Sequence, residues 1–396
     1  MRRKIWQGTL RKTLLRLGRS AVYRMTVALD DAETPPPAAP THPDPRPPPS
    51  LVDARNHPDP RSLLSLVDAR NHPNLDEVWM ILRDLQNAKL TIKFFGYELA
   101  RGLAAAIPPR TGLTPRQVGL ASKPSTQADL ESDWAAYWIA ELKAAHVFHR
   151  KLWEFAYVLQ AIHENGHLRP GARGLGFGCG TEPLPSYFAS HDMRVTVTDL
   201  PPDAAKGRGW METDQHTSSA DLAFRDYLVG RAQFDRNVEL RYVDMNEIPP
   251  DLRDYDFCWS ICALEHVGSI RQGLAFIENS LRTLRPGGLA VHTTEFNFMN
   301  DTHTIDDWPT VLFQRKHFRE VADRLRRQGH DVAPLDFDVG DKPLDKFIDV
   351  PPYTWDWGSD LLKSWGSGAD HIKLTVDGFA CTCFGIIVRK GGGTAG

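Results

Sequence analysis

Four glycines alternate through one short stretch of the chain, and an acid follows them at a distance that suits a nucleotide ligand. They lie in RGLGFGCGTE (173–182), and Asp199 ends the next apolar run. Glycine lets a backbone turn sharply and approach a ligand, and a following helix offers unpaired N–H groups. An acid about 20 residues on is where a βαβ unit binds a ribose diol. The stretch therefore predicts a strand, a turn, a helix and a second strand that hold a nucleotide-type cofactor.

The spacing of these glycines argues against a nicotinamide cofactor. That fingerprint requires Gly-x-Gly-x-x-Gly. The third glycine would be Cys179 if the pattern started at Gly174, and Thr181 if it started at Gly176. Both frames fail, which disfavours a dehydrogenase.

The motifs resemble, in order and spacing, those of class I S-adenosylmethionine-dependent methyltransferases, in the small-molecule, UbiG-like branch. The resemblance covers about residues 170–390 and rests on five features: GFGCG (176–180), Asp199, YVDMNEIP (242–249), FCWSICALEHVG (257–268) and LRPGGLAVHTT (284–294). It implies S-adenosyl-L-methionine as cofactor. It also implies an α/β, Rossmann-like, seven-stranded sheet that is mostly parallel, with FACTCFGIIVRK (379–390) as the antiparallel last strand.

The resemblance also implies which residues bind the cofactor. Asp199 would bind both ribose hydroxyls, and Asp244 would take the adenine amino group with Met245 beside the ring. The methionine end and the sulfonium would lie against the glycine-rich turn and the fourth strand, at the positions Gly176, Gly178, Gly180 and Ser260.

Two positions depart from the family pattern. Gly176 stands where an acid is common, and Glu182 stands where a third core glycine is frequent. Because a helix N-terminus favours a carboxylate, Glu182 is predicted to replace the missing acid near the cofactor's ammonium group. The alternative is an acid that caps the helix and contacts no ligand.

Methyl transfer from a sulfonium needs alignment of the acceptor, plus a base if the nucleophile is a hydroxyl. His266 is the predicted base, because it follows the fourth strand at the end of the sheet where ligands bind. With Glu265 it forms a pair that could instead order the loop. His292 and Glu295 could be a second polar pair or metal ligands, although no metal is predicted, and His371 could reach the site from an insert.

The chain divides into four predicted regions. Residues 1–30 form a basic, amphipathic leader, for which a solvated tail or a misassigned start is the alternative; residues 31–73 form a proline-rich linker with a 15-residue tandem repeat. Residues 74–168 form a helical cap whose aromatic residues either pack together or roof a substrate cavity. Residues 169–396 form the cofactor-binding domain, with seven candidate strands and a lid insert at about 341–378. These strands are expected at 173–177, 194–198, 238–243, 255–261, 288–294, 332–338 and 379–388.

Composition limits the partners. The formal net charge of −3 argues against nucleic acid, which requires a basic surplus. The five cysteines lack zinc-motif spacing, and buried, reduced thiols in a cytoplasmic protein are expected. Each of the pairs Cys258–Cys262 and Cys381–Cys383 is expected to share one strand face. The leader (1–29) could add peripheral membrane contact.

The acceptor is the least determined element. The leading hypothesis is O-methylation of a small molecule or a glycan hydroxyl. Because EHVG (265–268) also resembles cyclopropane fatty-acid synthases, lipid modification at a membrane surface is a second hypothesis. A catalytically silent cofactor-binding scaffold is the third.

Overall fold

The computed structural model describes residues 72, 75–201, 219–351, 353 and 370–392. The predicted leader (1–30) and, apart from His72, the predicted linker (31–73) lie outside these residues. The first turns of the first helix, through Gln86, belong to one unit, and residues from Asn87 onward form the second. No described helix is long and apolar enough to cross a membrane.

Helices precede the sheet and then alternate with its strands. The described α-helices are α1 (Leu75–Ala106), α2 (Gln127–Leu130), α3 (Asp133–Glu141), α4 (Arg150–Glu164), α5 (Leu184–Ser190), α6 (Arg231–Asn237), α7 (Ile270–Ser280), α8 (Arg315–Arg327) and α9 (Pro343–Lys346). Short 3₁₀ turns occupy Ala220–Ala223, Leu264–His266 and Leu281–Thr283. Helix α1 ends just before Pro108-Pro109, which cannot continue a helix, and α4 ends before Gly166, whose φ is +72°.

The strands form one mixed sheet. They are β1 (Arg173–Phe177), β2 (Arg194–Asp199), β3 (Val238–Tyr242), β4 (Tyr255–Ile261), β5 (Leu284–Asn297), β6 (Asp331–Val332), β7 (Ile348–Asp349), β8 (Lys373–Val376) and β9 (Phe379–Arg389). Their order is β3-β2-β1-β4-β5-β9-β8-β7, and β6 also pairs with β9.

The sheet confirms the predicted Rossmann-like architecture. Strands β1 to β5 run parallel, and β9 is antiparallel to β5. The carboxyl ends of the parallel strands therefore share one edge with the first residues of β9, as the pairing of Glu295 with Cys383 shows. Ligands of open α/β sheets bind at that edge.

Three details differ from the predicted strands. Within the described residues the sheet has nine strands instead of seven. The two added strands, β7 and β8 of the insert, have two and four residues and are too short to show a periodic pattern. The strand expected at 332–338 ends at Val332, before Pro334, which has no backbone N–H to donate to a ladder. Strand β5 begins at Leu284 and bulges at Pro286–Gly288, where its register with β4 shifts.

Apolar side chains pack on both faces of the sheet. Trp138, Trp153 and Phe188, from α3, α4 and α5, are buried on one face, and Phe276 and Phe318, from α7 and α8, are buried on the other. Full burial of one such side chain contributes about 1.5–3 kcal/mol. The sheet edge is therefore held rigidly between two helical layers.

Candidate active site

A cavity of about 300 Å³ opens at the carboxyl ends of β1 to β4. Its walls come from the turn after β1, the residues that follow β2, β3 and β4, and one turn of α4. They consist of Lys151, Phe155, Gly178, Cys179, Gly180, Thr181, Glu182, Asp199, Leu200, Val243, Asp244, Met245, Ile261, Cys262, Ala263, His266 and Val267. The structure thus brings together most of the residues predicted to bind a cofactor and the predicted base.

The glycines of the turn have two different roles. Gly178 and Gly180 line the cavity with φ values of +58° and +52°, in the left-handed region that only glycine adopts at no cost. A Cβ on Gly178 would lie 2.8 Å from Ala263 Cβ. Gly176 does not line the cavity: a Cβ there would lie 2.3 Å from Cys179 Sγ and 2.5 Å from Trp259. Gly176 therefore allows close packing behind the turn.

Two acids close the cavity where β2 and β3 end. Asp199 is the last residue of β2, and its Oδ1 accepts a hydrogen bond from Leu200 N at 2.8 Å. Asp244 follows β3, and its Oδ1 accepts from Asn246 N at 2.9 Å. Met245 is buried beside it. Both carboxylates are oriented by local backbone N–H groups, a pattern typical of acids in turns.

Glu182 is buried in the cavity wall and does not cap α5. Its Oε1 accepts from Trp259 Nε1 at 2.8 Å, and its Oε2 has no hydrogen-bond partner among the described residues. Burial raises the pKa of this carboxyl to about 7, although the hydrogen bond from Trp259 opposes the shift. A buried carboxylate oxygen without a donor is costly, so this oxygen suits a cationic ligand group.

His266 lines the cavity in a fixed orientation. Its Nδ1 lies 2.8 Å from the Pro309 carbonyl, which can only accept, so Nδ1 carries the proton and the lone pair is on Nε2. Burial lowers the pKa of His266, although Glu265 opposes the shift.

Glu265 does not line the cavity. It is buried behind His266, and its Oε2 accepts from Thr294 Oγ1 at 3.0 Å. The separation of Glu265 Oε1 from His266 Nε2, 3.9 Å, is too long for a hydrogen bond.

Ser260 lies away from the cavity. Its hydroxyl contacts His292 Nδ1 at 2.8 Å on the α7 side of the sheet, and His292 Nε2 contacts Ser280 at 3.0 Å. We therefore leave the Ser260 side chain out of the cofactor site. Because His292 and Glu295 are three residues apart on one strand, they face opposite sides; Glu295 pairs with Arg150.

His371 is buried against Asp349, with Nδ1 2.9 Å from Oδ2, and does not line the cavity.

Cys258 and Cys262 do not share a face. The Cys258 thiol points to Ser280, whereas Cys262, which follows β4 with φ +45°, turns toward Glu154. The positive φ after the strand ends the alternation from which the shared face was predicted.

The aromatic residues of the predicted cap (74–168) were expected either to pack together or to roof a cavity, and Phe155 of α4 lines the cavity. The charged residues of α4 were not predicted: Lys151 also lines the cavity. Glu154 is fully buried, and its Oε2 accepts from the Thr293 hydroxyl and from Cys262 Sγ. Burial raises the Glu154 pKa, but Lys151 and Arg150 lower it overall. Charged residues inside an otherwise apolar helix were the available signal.

Residues 149–333 match a family model described as a methyltransferase domain. The chain carries a methyltransferase domain. The match begins at the first turn of α4 and covers every wall of the cavity. The protein is an S-adenosylmethionine-dependent methyltransferase, and two observations fit that cofactor: the space left by Gly178 and the buried Glu182 oxygen without a donor.

The methyltransferase domain also has structural neighbours. The [4+2]-cyclase SpnF is 17% identical over 61% of this chain and 83% of its own, with a TM-score of 0.36. A putative sarcosine dimethylglycine methyltransferase from Galdieria sulphuraria is 14% identical over 66% and 99%, with a TM-score of 0.36. The DhpI complex with S-adenosylhomocysteine is 14% identical over 67% of this chain and 99% of its own, with a TM-score of 0.32. At these scores we draw nothing further from the neighbours. No curated protein matches the sequence significantly.

Proposed function

We propose that this methyltransferase methylates a hydroxyl oxygen of a small molecule or glycan, with His266 as general base. The observation that carries the proposal is the His266 imidazole at the cavity wall, with its proton fixed on Nδ1 by the Pro309 carbonyl. Nε2 can then take the proton of an acceptor hydroxyl.

We assign the cofactor contacts from the positions of the lining residues. Asp199 would hold the ribose hydroxyls, and Asp244 with Met245 would hold the adenine. The glycine turn and Glu182 would hold the amino-acid end, where the unpartnered Glu182 oxygen suits an ammonium group. When bound, the cofactor supplies an electrophilic methyl group, and the protein supplies alignment, exclusion of water and the base.

The pH profile of the reaction follows from His266. Burial lowers its pKa from the usual 6.5, and only the neutral imidazole is a base. At saturating cofactor, where ionisation of Glu182 no longer limits binding, the rate is therefore expected to stay constant when the pH falls from 7 past 6.5, and to drop only at a lower pH. A drop centred above 6.5 would contradict this assignment of the base.

The test uses S-adenosylmethionine labelled in its methyl group and a panel of phenols, polyols and monosaccharides. In His266→Ala the rate with any accepted hydroxyl compound is expected to fall about 10²–10⁴-fold, while affinity for S-adenosylhomocysteine stays unchanged. His191→Ala, at a partly buried histidine outside the cavity, is the matched control. Equal rates in the two variants would remove His266 as base, and label on nitrogen or carbon would overturn O-methylation.

A lipid acceptor is the second candidate, favoured by the surface of α1. In the part of that helix from Asn87 onward, four large apolar side chains are 40–66% exposed: Ile92, Phe94, Phe95 and Leu99. Such a row is typical of a helix that contacts another apolar surface. Flotation with anionic liposomes compares the chain of 396 residues with a truncated chain that begins at Asn74. Binding lost on truncation would support the leader as the anchor, and absence of both proteins from the liposome fraction would remove the lipid candidate.

A further inference from the structure

Five buried or half-buried side chains meet where α4, β4, β5 and β9 converge. This thiol–carboxylate cluster consists of Glu154, Cys262, Glu265, Glu295 and Cys383. The sulfurs of Cys262 and Cys383 are 3.5 Å apart, and Cys262 Sγ is 2.9 Å from Glu154 Oε2. Ligand-type atoms of Glu154, Cys262 and Cys383 lie within 4.8 Å of one another, as do those of Cys262, Glu265 and Glu295.

All three carboxylates leave one buried oxygen without a hydrogen bond among the described residues. These oxygens are Glu154 Oε1, Glu265 Oε1 and Glu295 Oε2, on side chains that are at most 5% exposed. Arg150 pairs with the other Glu295 oxygen, and Lys151 Nζ approaches Glu154 Oε1 only to 3.4 Å. Two cations thus face three acids. Buried carboxylate oxygens normally have donors, so the cluster has the composition of a site for a positively charged ligand.

The chemistry of the cluster favours a metal ion over a disulfide or an organic cation. A Cys262–Cys383 disulfide would bring no positive charge to the cluster and would leave all three oxygens without a partner. The three carboxylate oxygens are closed to solvent, and an organic cation is too large to reach them. Thiolates favour zinc-class ions over Mg²⁺ or Ca²⁺, which prefer oxygen ligands. Two sulfurs bound to one tetrahedral zinc would lie roughly 3.7 Å apart, close to the 3.5 Å observed.

We propose that the thiol–carboxylate cluster binds one divalent transition-metal ion of the zinc class through the Cys262 and Cys383 thiolates and the Glu154 carboxylate. Binding forms two metal–sulfur bonds and one metal–oxygen bond and releases two thiol protons to solvent. The ion with two thiolates and one carboxylate is a net anion, and Arg150 and Lys151 supply the neighbouring positive charge. Because Cys262 also lines the cavity, the ion lies beside the place where the methyl acceptor must bind. Three protein ligands leave a coordination position that an acceptor oxygen or sulfur can fill.

The test measures metal directly and does not depend on methyl transfer, so it can fail independently of the proposed function. Protein purified without chelators is analysed for zinc, and the metal-free protein is titrated with Co²⁺. We expect about one ion per chain, a thiolate-to-cobalt charge-transfer band and release of two protons per ion. A wild-type protein that binds neither ion, or cobalt without the thiolate band, would overturn the site, as would a Cys262–Cys383 disulfide in the isolated protein.

Variants locate the ligands. Cys262→Ser and Cys383→Ser are expected to abolish the charge-transfer band, and Glu154→Gln to weaken metal binding about 10–100-fold. Cys258→Ser and Cys381→Ser are matched controls, since both thiols are buried in the same two strands but lie outside the cluster. If a control lost as much metal as the cluster variants, the assignment of ligands would be wrong. Glu154→Gln preserves side-chain size, so its metal affinity still tests the site if a serine variant does not fold.

Discussion

The two ends of the cavity are built in different ways. At the cofactor end, the side chains come from consecutive residues after β1, β2 and β3: the turn from Gly178 to Glu182, Asp199 and Asp244. At the other end, Lys151 and Cys262 line the cavity, and behind them α4 brings Arg150 against Glu295 and Glu154 against Cys262. The first end depends on local backbone conformation, and the second depends on tertiary packing of charged groups.

This difference separates two kinds of energetic cost. The cofactor end requires glycine at positive φ, where any other residue costs about 1–2 kcal/mol. The α4 end requires buried charges, and removal of one partner from a buried pair costs about 3–5 kcal/mol. Substitutions at the two ends should therefore have separable effects on stability and on cofactor affinity.

Arg150→Ala is expected to have the largest effect on stability. It leaves the buried Glu295 carboxylate without its cation, and the free energy of unfolding should fall by about 3–5 kcal/mol. Urea denaturation measures this loss. Arg326→Ala removes an exposed pair with Asp323 and should cost less than about 1 kcal/mol. If Arg150→Ala weakened S-adenosylhomocysteine binding in the folded protein without lowering stability, the two ends would not be separable.

The cofactor end could be predicted from sequence because its motifs are contiguous. The strand–turn–helix pattern placed Gly178 and Asp199, and the motif resemblance placed Asp244, and the structure brings these residues to one cavity. Ser260 was assigned from the motif resemblance, and its side chain lies on the α7 side of the sheet, a face that the motif alone does not specify. The α4 end could not be predicted, since Glu154 and Cys262 are distant in sequence and no zinc-motif spacing joins Cys262 to Cys383. Their approach follows from packing of α4 on the sheet.

Gly178→Ala is expected to destabilise the turn after β1. Its φ of +58° and the 2.8 Å approach of a new Cβ to Ala263 Cβ should lower the free energy of unfolding by about 1–2 kcal/mol. The new methyl group would also narrow the cofactor cavity. Gly102→Ala lies in α1 with no atom within 4 Å of the new Cβ, and should instead raise the free energy of unfolding by up to about 1 kcal/mol. Thermal melts and calorimetry with S-adenosylhomocysteine check both, and an unchanged Gly178→Ala protein would contradict the tight turn.

Glu182→Gln is expected to change the pH dependence. The folded-state pKa of Glu182 is raised from 4.5 to about 7. Below pH 4.5 the carboxyl is neutral in the folded and the unfolded chain, and its burial has no pH-dependent effect on the free energy of unfolding. As the pH rises from 4.5 to 7 this free energy falls, because the unfolded chain ionises more readily, and above pH 7 the loss is complete. Relative to the wild type, Glu182→Gln should therefore gain stability as the pH rises through this window, by roughly 3 kcal/mol at most.

The same carboxyl group should release a proton when a cationic ligand binds. Near pH 7, calorimetry of S-adenosylhomocysteine binding in buffers with different ionisation enthalpies is expected to show proton release by the wild type and none by Glu182→Gln. Proton release of equal size in both proteins would exclude Glu182 as the group that receives the ammonium.

Calorimetry on Asp199→Ala tests the cofactor site most directly. Asp199 ends β2 in the cavity wall, and hydrogen bonds to a charged group contribute about 1.5–3 kcal/mol. S-adenosylhomocysteine should therefore bind about 10–150-fold more weakly to Asp199→Ala than to the wild type, while Asp323→Ala, at an exposed acid of α8, binds as the wild type does. Equal affinity in all three proteins would contradict the placement of the cofactor in this cavity.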